Sequence, residues 1–356
     1  MPRIFACISG LRLATSSAAA ALLLAGTALA AAPLSAQAGA LLAPGGTTPL
    51  SPPGALLAPG GTTPPSPPGA LPVNWDFAAG ALAGFTSPGT LPPGADNFGC
   101  RPSSAHPDPV VLVHGTLANQ DDNWQAASPL LANHGYCVFS FNYGGTSPSA
   151  DFQGTGDIAV SAGQLASFVT RVLAATGAAK VDLVGHSQGG MMPRYYLKFL
   201  GGARYVNRLV ALAPSNHGTT LGGLTALITA LGAAGLVNSA LNALCTACVE
   251  QEAGSPFLTS LNGGGETVAG MTYTVIESRY DEVVTPYTSA FLSGSGVTNI
   301  TLQNQCPLDL SDHLEIAADP VALADVLNAL DPAHPVHVPC LVVLAITGPV
   351  GPVPPF

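Results

Sequence analysis

Val181-Asp182-Leu183-Val184 runs directly into Gly185-His186-Ser187-Gln188-Gly189, an apolar run that breaks at a serine with a glycine two residues away on either side. The pattern predicts a strand, a sharp turn with Ser187 at its tip, and a helix over Met191 to Lys198. So tight a turn strains its central residue and brings strand and helix close enough that a side chain at either glycine would clash. The serine hydroxyl is left exposed at a helix N-terminus, where the helix dipole favours a developing negative charge. Five such residues also arise by chance in a Gly- and Ser-rich chain, and a serine can merely cap a helix. The preceding strand and the following helical segment favour the reading as a nucleophile elbow.

A sheet must surround that strand. Short apolar runs alternate with helical patterns: candidate strands are Val110 to Val113, Tyr136 to Asn142, Val181 to Val184, Leu209 to Ala213, Tyr273 to Ile276 and Val297 to Leu302. Ile158, Leu165, Phe168, Val169, Val172 and Leu173 follow helical spacing, and Gly177 is placed to end that helix. Strands apolar on both faces and separated by helices imply an α/β architecture, a mostly parallel sheet covered on both sides.

The ends of the chain differ in kind. Arg3 and Arg12, the Ala/Leu-rich stretch from Leu13 to about Ala32 and the small-residue sites Ala28-Leu29-Ala30 and Ala36-Gln37-Ala38 read as a secretory signal over residues 1–38. Cleavage is expected after Ala38, with Ala30 second. No later segment offers about 20 apolar residues without breakers, so no transmembrane anchor is expected. Gly39 to Pro49 recurs as Gly54 to Pro64, each copy followed one residue on by Ser-Pro-Pro. Proline at that density blocks helix and sheet, so residues 39–72 read as a linker. The catalytic domain is expected over 73–344, with 345–356 a Pro-rich tail.

Loss of the signal leaves 8 basic and 20 acidic residues, a formal charge of −12, which argues against nucleic acid as a partner. It also leaves six cysteines, Cys100, Cys137, Cys245, Cys248, Cys306 and Cys340, an even number that suits an exported, oxidised protein. Their connectivity is open from spacing alone. Cys245-Thr246-Ala247-Cys248 also fits a redox pair or half a zinc site, but no second such motif or nearby His pair supports metal.

A serine hydroxyl needs a histidine to take its proton and a carboxylate to orient that histidine. After an elbow of this kind the partners follow in the order Ser, acid, His. His313 lies in the loop after the last expected strand, where the base belongs, whereas His334 and His337 flank prolines and read as surface residues. His217 precedes any plausible acid and reads as a supporting residue. Asp281 follows the strand Tyr273 to Ile276, the expected place for the acid; its rivals are Glu282, Asp309 and Asp312. Two backbone N–H groups should face the oxyanion. One is that of Gln188; the other comes from His114-Gly115-Thr116-Leu117, with Thr116 first and Leu117 second. His114 itself reads as a structural hydrogen-bonder.

Taken together, Val110-Val111-Leu112-Val113-His114-Gly115-Thr116, Val181 to Gly190, Ala213-Pro214-Ser215-Asn216-His217-Gly218-Thr219-Thr220 and Tyr280-Asp281-Glu282-Val283-Val284 resemble the secreted triacylglycerol lipases of the class 2 lipase family, α/β-hydrolases, from about Asp108 to Leu330. The resemblance implies Ser187, Asp281 and His313 as a triad, Thr116 and Gln188 as oxyanion hole, no cofactor and no metal. It further implies the disulfides Cys100–Cys137, Cys245–Cys248 and Cys306–Cys340. The Pro-rich repeat lies outside the family pattern.

Leu221 to Leu244 is Leu/Ala/Gly-rich with almost no charge, which fits either a small helical cap over the nucleophile or a buried core helix. A secreted monomer acting on lipid or other acyl esters at an oil–water interface is the expectation. A polyester depolymerase or cutinase and an exported acyltransferase would use the same triad. The reading from another class is a hydrolase-fold binding protein without activity, against which the three intact residues argue.

Overall fold

All six expected strands enter one sheet. β1 (Val110–Val113), β2 (Val138–Ser140), β3 (Val181–His186), β4 (Val206–Leu212), β5 (Thr272–Glu277) and β6 (Val297–Thr301) pair in the order β2-β1-β3-β4-β5-β6, every pair parallel. This computed structural model describes residues 69–356 apart from Pro88, Leu221, Leu224, Thr225 and 228–244. The expected signal, most of the linker and most of the candidate cap therefore lie outside the described residues.

Side chains of a strand alternate between faces, and here both faces are apolar. Val111 and Val113 of β1, Val181 and Leu183 of β3, Leu209 of β4 and Tyr273 and Val275 of β5 enter one core cluster. Val110, Leu112, Val184, Val210, Leu212 and Ile276, their neighbours in sequence, enter the other. The helices, in chain order α1 (Phe77–Thr86), α2 (Ala127–Asn133), α3 (Ile158–Thr176), α4 (Gln188–Phe199), α5 (Thr246–Glu250), α6 (Pro256–Asn262) and α7 (Pro320–Leu330), supply the matching layers. α3 and α4 bring Leu165, Phe168, Val169, Met191 and Met192 to the first cluster. α1, α2 and α7 bring Phe77, Leu130, Leu131, Val321, Leu323 and Val326 to the second. At ~1.5–3 kcal/mol for each large apolar side chain removed from water, this two-sided burial outweighs the sub-kilocalorie strand and helix propensities.

Local signals fix the helix ends. The Asp157 side chain accepts from Val160 N–H at 2.8 Å to open α3, and Gly177, at φ 76°, closes it. α3 is the one described helix long and apolar enough to cross a bilayer; Ile158, Leu165, Val169 and Val172 are fully buried in the core. β2 is shorter than the expected Tyr136 to Asn142. It lies at the sheet edge, and the Asn142 side chain leaves the ladder to accept from Gln120 N–H at 2.8 Å and donate to Pro148 O at 2.7 Å.

The segment 345–356, read from sequence as a tail, is built into the domain. Val343–Leu344 pairs antiparallel with Gly348–Pro349, Ile346 O accepts from Ala78 N–H at 3.0 Å, and the Phe356 ring lies 5.9 Å from that of Trp75. At the other end Leu71 N–H donates to Asn133 Oδ1 at 2.8 Å, so packing begins slightly before Val73. Proline stops helix and sheet ladders but does not prevent apolar packing.

Candidate active site

β3 is the third strand across the sheet, flanked by β1 and β4, and the chain leaves its C-terminal end in the turn that carries Ser187. Ser187 has φ 55° and ψ −123°, a strained conformation held by its N–H donating to Leu212 O at 2.9 Å. A Cβ at Gly185 would run into the carbonyl of Gly189, and one at Gly189 into the carbonyls of Val113 and His114. The two glycines of the motif are therefore steric requirements of this crossing.

Ser187 Oγ lies 3.0 Å from His313 Nε2, and His313 Nδ1 lies 2.7 Å from Asp281 Oδ2. All three residues are buried, His313 completely. Asp281 sits in the turn after β5, where its Oδ1 accepts from the N–H groups of Val283 and Val284 at 2.8 and 2.7 Å. The rivals face elsewhere. Glu282 Oε2 comes only within 3.4 Å of His313 backbone N. Asp309 Oδ1 accepts from Ser311 N–H and Asp312 Oδ1 from Glu315 N–H, both at 2.8 Å, so these carboxylates shape the His313 loop.

Burial disfavours the His313 imidazolium, but the charge and hydrogen bond of Asp281, aided by the charges of Glu282 and Asp312, outweigh it and raise the pKa. His186 is the opposite case. Burial first, then the neighbouring His313 charge, pushes it down to about 3, so it stays neutral and its Nε2 donates to His313 O at 2.8 Å. The His313 loop is further fixed by Ser278 Oγ donating to Ser311 O at 2.5 Å and by the disulfide Cys306–Cys340, with Cα atoms 4.9 Å apart. Cys100 and Cys137 are also paired, as are Cys245 and Cys248.

Thr116 lies in the turn after β1 and is joined to the residue that follows Ser187 by the Gln188 side chain. Leu117, its alternative as oxyanion donor, has its N–H committed to Gln153 O at 2.9 Å. The N–H groups of Thr116 and Gln188 have no hydrogen-bond partner among the described residues. Thr116 Oγ1 accepts from Gln188 Nε2 at 3.0 Å and from Gln251 Nε2 at 2.8 Å. With both lone pairs so occupied, the hydroxyl proton remains to be donated. Gln251, just after α5, is held in turn by Ser215 Oγ, which donates to its Oε1 at 2.8 Å. Sequence reasoning missed Gln251: nothing in its local pattern distinguishes it from a surface glutamine. His186 was readable only as a filler position of the elbow.

Other histidines are engaged elsewhere. His114 is buried, stacked on Tyr143 with centroids 4.2 Å apart, and burial pushes its pKa down to about 4, as befits the structural role expected of it. His217 pairs with Glu266 at 2.7 Å and its Nδ1 donates to Ser289 O at 2.9 Å, so it joins surface loops and not the triad. Exposed His334 pairs with Asp331. Among the described residues no group of three or more His, Cys, Asp or Glu side chains could hold a metal ion. Of the candidate cap, the described Leu227 is buried in the second core cluster.

The profile of the family Lipase (class 2) matches residues 107–324, a span that contains Thr116, Ser187, Gln188, Gln251, Asp281 and His313. A triacylglycerol lipase of Pseudarthrobacter phenanthrenivorans is 42% identical over 92 residues, 24% of this chain and 27% of that protein. A triacylglycerol lipase of Burkholderia plantarii is 42% identical over 92 residues, 24% of either chain. These matches span about a quarter of those relatives' length. Lipase B of Pseudozyma antarctica is 28% identical over 248 residues, 66% of this chain and 65% of its own. Among solved structures, lipase B of Aspergillus fumigatus superposes with a TM-score of 0.54 at 24% identity, covering 70% of this chain and 57% of that one, which is a likeness of fold.

Proposed function

Because this chain belongs to the class 2 lipase family, we propose that it is a secreted serine ester hydrolase and, most specifically, a triacylglycerol lipase. The observation that carries the reading is the unbroken hydrogen-bonded line from Asp281 Oδ2 through His313 to Ser187 Oγ, at 2.7 and 3.0 Å.

In this mechanism Ser187 Oγ attacks the acyl carbonyl while its proton passes to His313 Nε2. Asp281 stabilises the imidazolium so formed and fixes the tautomer with Nδ1–H toward itself. The N–H groups of Thr116 and Gln188, with the Thr116 hydroxyl, receive the oxyanion at the start of α4, where the helix dipole adds to the attraction. The tetrahedral intermediate collapses, the C–O bond to the alcohol breaks, and His313 returns the proton to the departing alkoxide. Water then repeats the sequence on the acyl-enzyme and frees the fatty acid. None of these steps calls for a cofactor.

Residues 1–38 are proposed as the export signal and 39–68 as a spacer. The six paired cysteines support an oxidising destination.

The test is a panel of p-nitrophenyl esters from short to long chain, emulsified triacylglycerol and a polyester film, run on the wild type and on Ser187→Ala. Hydrolysis of the long esters and the emulsion, lost in Ser187→Ala, is the expected result. Hydrolysis confined to the film or to short esters would move the substrate class to polyesters or soluble esters. Activity of Ser187→Ala above a few per cent of wild type would remove the nucleophile assignment. A serine-directed phosphonate should label Ser187 alone.

A further inference from the structure

β5 ends in Glu277, four residues before Asp281, and the tight turn between them closes with Asp281 N–H donating to Ser278 O at 3.3 Å. Glu277 is completely buried at the end of a strand whose other residues are apolar or neutral. Its Oε1 accepts from Ser278 N–H at 2.8 Å. Its Oε2 is buried and no donor is aimed at it among the described residues. The turn brings Asp281 back beside this strand end, and the Asp281 carboxylate acts on the Glu277 side chain through its charge and through a hydrogen bond.

Two carboxylates so placed cannot both be anions. Their mutual repulsion in a buried site would be large, and a hydrogen bond between them requires that one carry a proton. Which one keeps it follows from their partners. Asp281 has two backbone N–H groups on Oδ1 and the imidazole on Oδ2, all of which stabilise an anion. Glu277 has a single backbone N–H. The described ion pairs join neither residue to a lysine or arginine, and the remaining charged group near Glu277, Glu282, is also acidic. These partner sets favour the anion on Asp281 and the proton on Glu277.

We propose that Glu277 is a positioning residue of the triad: a neutral carboxylic acid whose O–H donates to Asp281, restraining that carboxylate toward His313 Nδ1 and moderating the charge it presents. The inference rests on the reading of Ser187, His313 and Asp281 as the triad. Burial, reinforced by the Asp281 charge, raises the Glu277 pKa well above the usual carboxylate range, in keeping with an acid that holds its proton at neutral pH. A neutral acid donating within a dry site is an established device of enzyme chemistry.

The alternative is that Glu277 only closes the turn through Ser278, and three variants separate the two. Glu277→Gln restores a donor toward Asp281 and an acceptor for Ser278 N–H without an ionisable group; Glu277→Leu restores neither; Glu277→Met supplies similar volume if leucine impairs folding. Expected for Glu277→Leu and Glu277→Met is a kcat lower by roughly ten-fold with KM unchanged, the size of losing one hydrogen bond to a charged group. The acid limb of kcat/KM should move to higher pH, because an Asp281 without that donor presents more charge to His313. Glu277→Gln should recover most of the lost kcat and bring the limb back. In infrared difference spectra at neutral pH, Glu277→Gln should remove a C=O band of protonated carboxylic acid from the folded protein.

Persistence of that band in Glu277→Gln, or equal impairment of Glu277→Gln and Glu277→Leu, overturns the proposal. So does a kcat loss without movement of the acid limb. The triad reading fails separately, through activity retained in Ser187→Ala.

Discussion

In the proposed mechanism the chemistry converges on His313, whose environment would set the pH at which the site works. The imidazole must be neutral to accept the Ser187 proton. Its pKa is raised by Asp281 against the opposing effect of burial, so activity should fall on acidification with a midpoint above the ordinary imidazole value of about 6.5. A profile of kcat/KM against pH measures this directly, and a midpoint below that value would mean that desolvation wins. Asp281→Asn should lower turnover by several orders of magnitude, since an amide in place of Oδ2 invites the wrong histidine tautomer. The same change removes the chief upward influence on His313. Glu282→Gln should be mild, because Glu282 reaches only the His313 backbone, at 3.4 Å. Reversal of those two effects would move the acid assignment one residue along the chain.

Elements explain both what could be read in the sequence and what could not. The strands were legible because two-sided burial demands continuous apolar runs, and α3 because Asp157 and Gly177 mark its ends. Ser187, Asp281 and His313 were legible because elbow, turn and loop each follow a recognisable strand, and the geometry brings the three side chains together. Gln251 and Glu277 were not. Gln251 reaches Thr116 across 135 positions of chain, an approach that depends on the whole fold, and Glu277, though only four residues before Asp281, ends its strand with no local mark that its side chain is buried. α5 supplies the clearest element-scale test. The Cys245–Cys248 disulfide closes its N-terminus, and Gln251 at its other end holds the Thr116 hydroxyl. Gln251→Leu should therefore reduce kcat by about ten-fold through a misplaced oxyanion donor, with little change in melting temperature. A loss confined to KM would instead assign Gln251 to substrate binding.

At the scale of the whole molecule, the two ends of the domain meet around one buried acid. Glu315 Oε2 accepts from Phe77 N–H at 3.2 Å at the start of α1. From the C-terminal side Gly348 packs so closely that an added Cβ would lie 3.2 Å from Glu315 Oε1 and clash with Trp75 O. Burial first, then the charges of Asp319, Asp312 and Asp76, raises the Glu315 pKa to about 10. In the unfolded chain it ionises near 4.3. A folded-state pKa above the unfolded one means that its contribution to stability is complete below about 4.3 and is lost as pH rises through the folded value. The loss can approach ~1.4 kcal/mol per pH unit where only the unfolded chain is ionised. Buried carboxylates nearby with raised pKa values, such as Asp319, act in the same direction. The protein should therefore lose melting temperature steadily between neutral and alkaline pH. Glu315→Gln, which cannot ionise, should flatten that slope while keeping an acceptor for Phe77 N–H. Because the bond at stake joins the start of α1 to the C-terminal half of the chain, alkaline opening should begin there, seen as early amide hydrogen exchange at Phe77 to Gly80 and around Ile346. Equal slopes for wild type and Glu315→Gln would mean that Glu315 is already ionised in the folded protein, and that something other than its proton holds the two ends together.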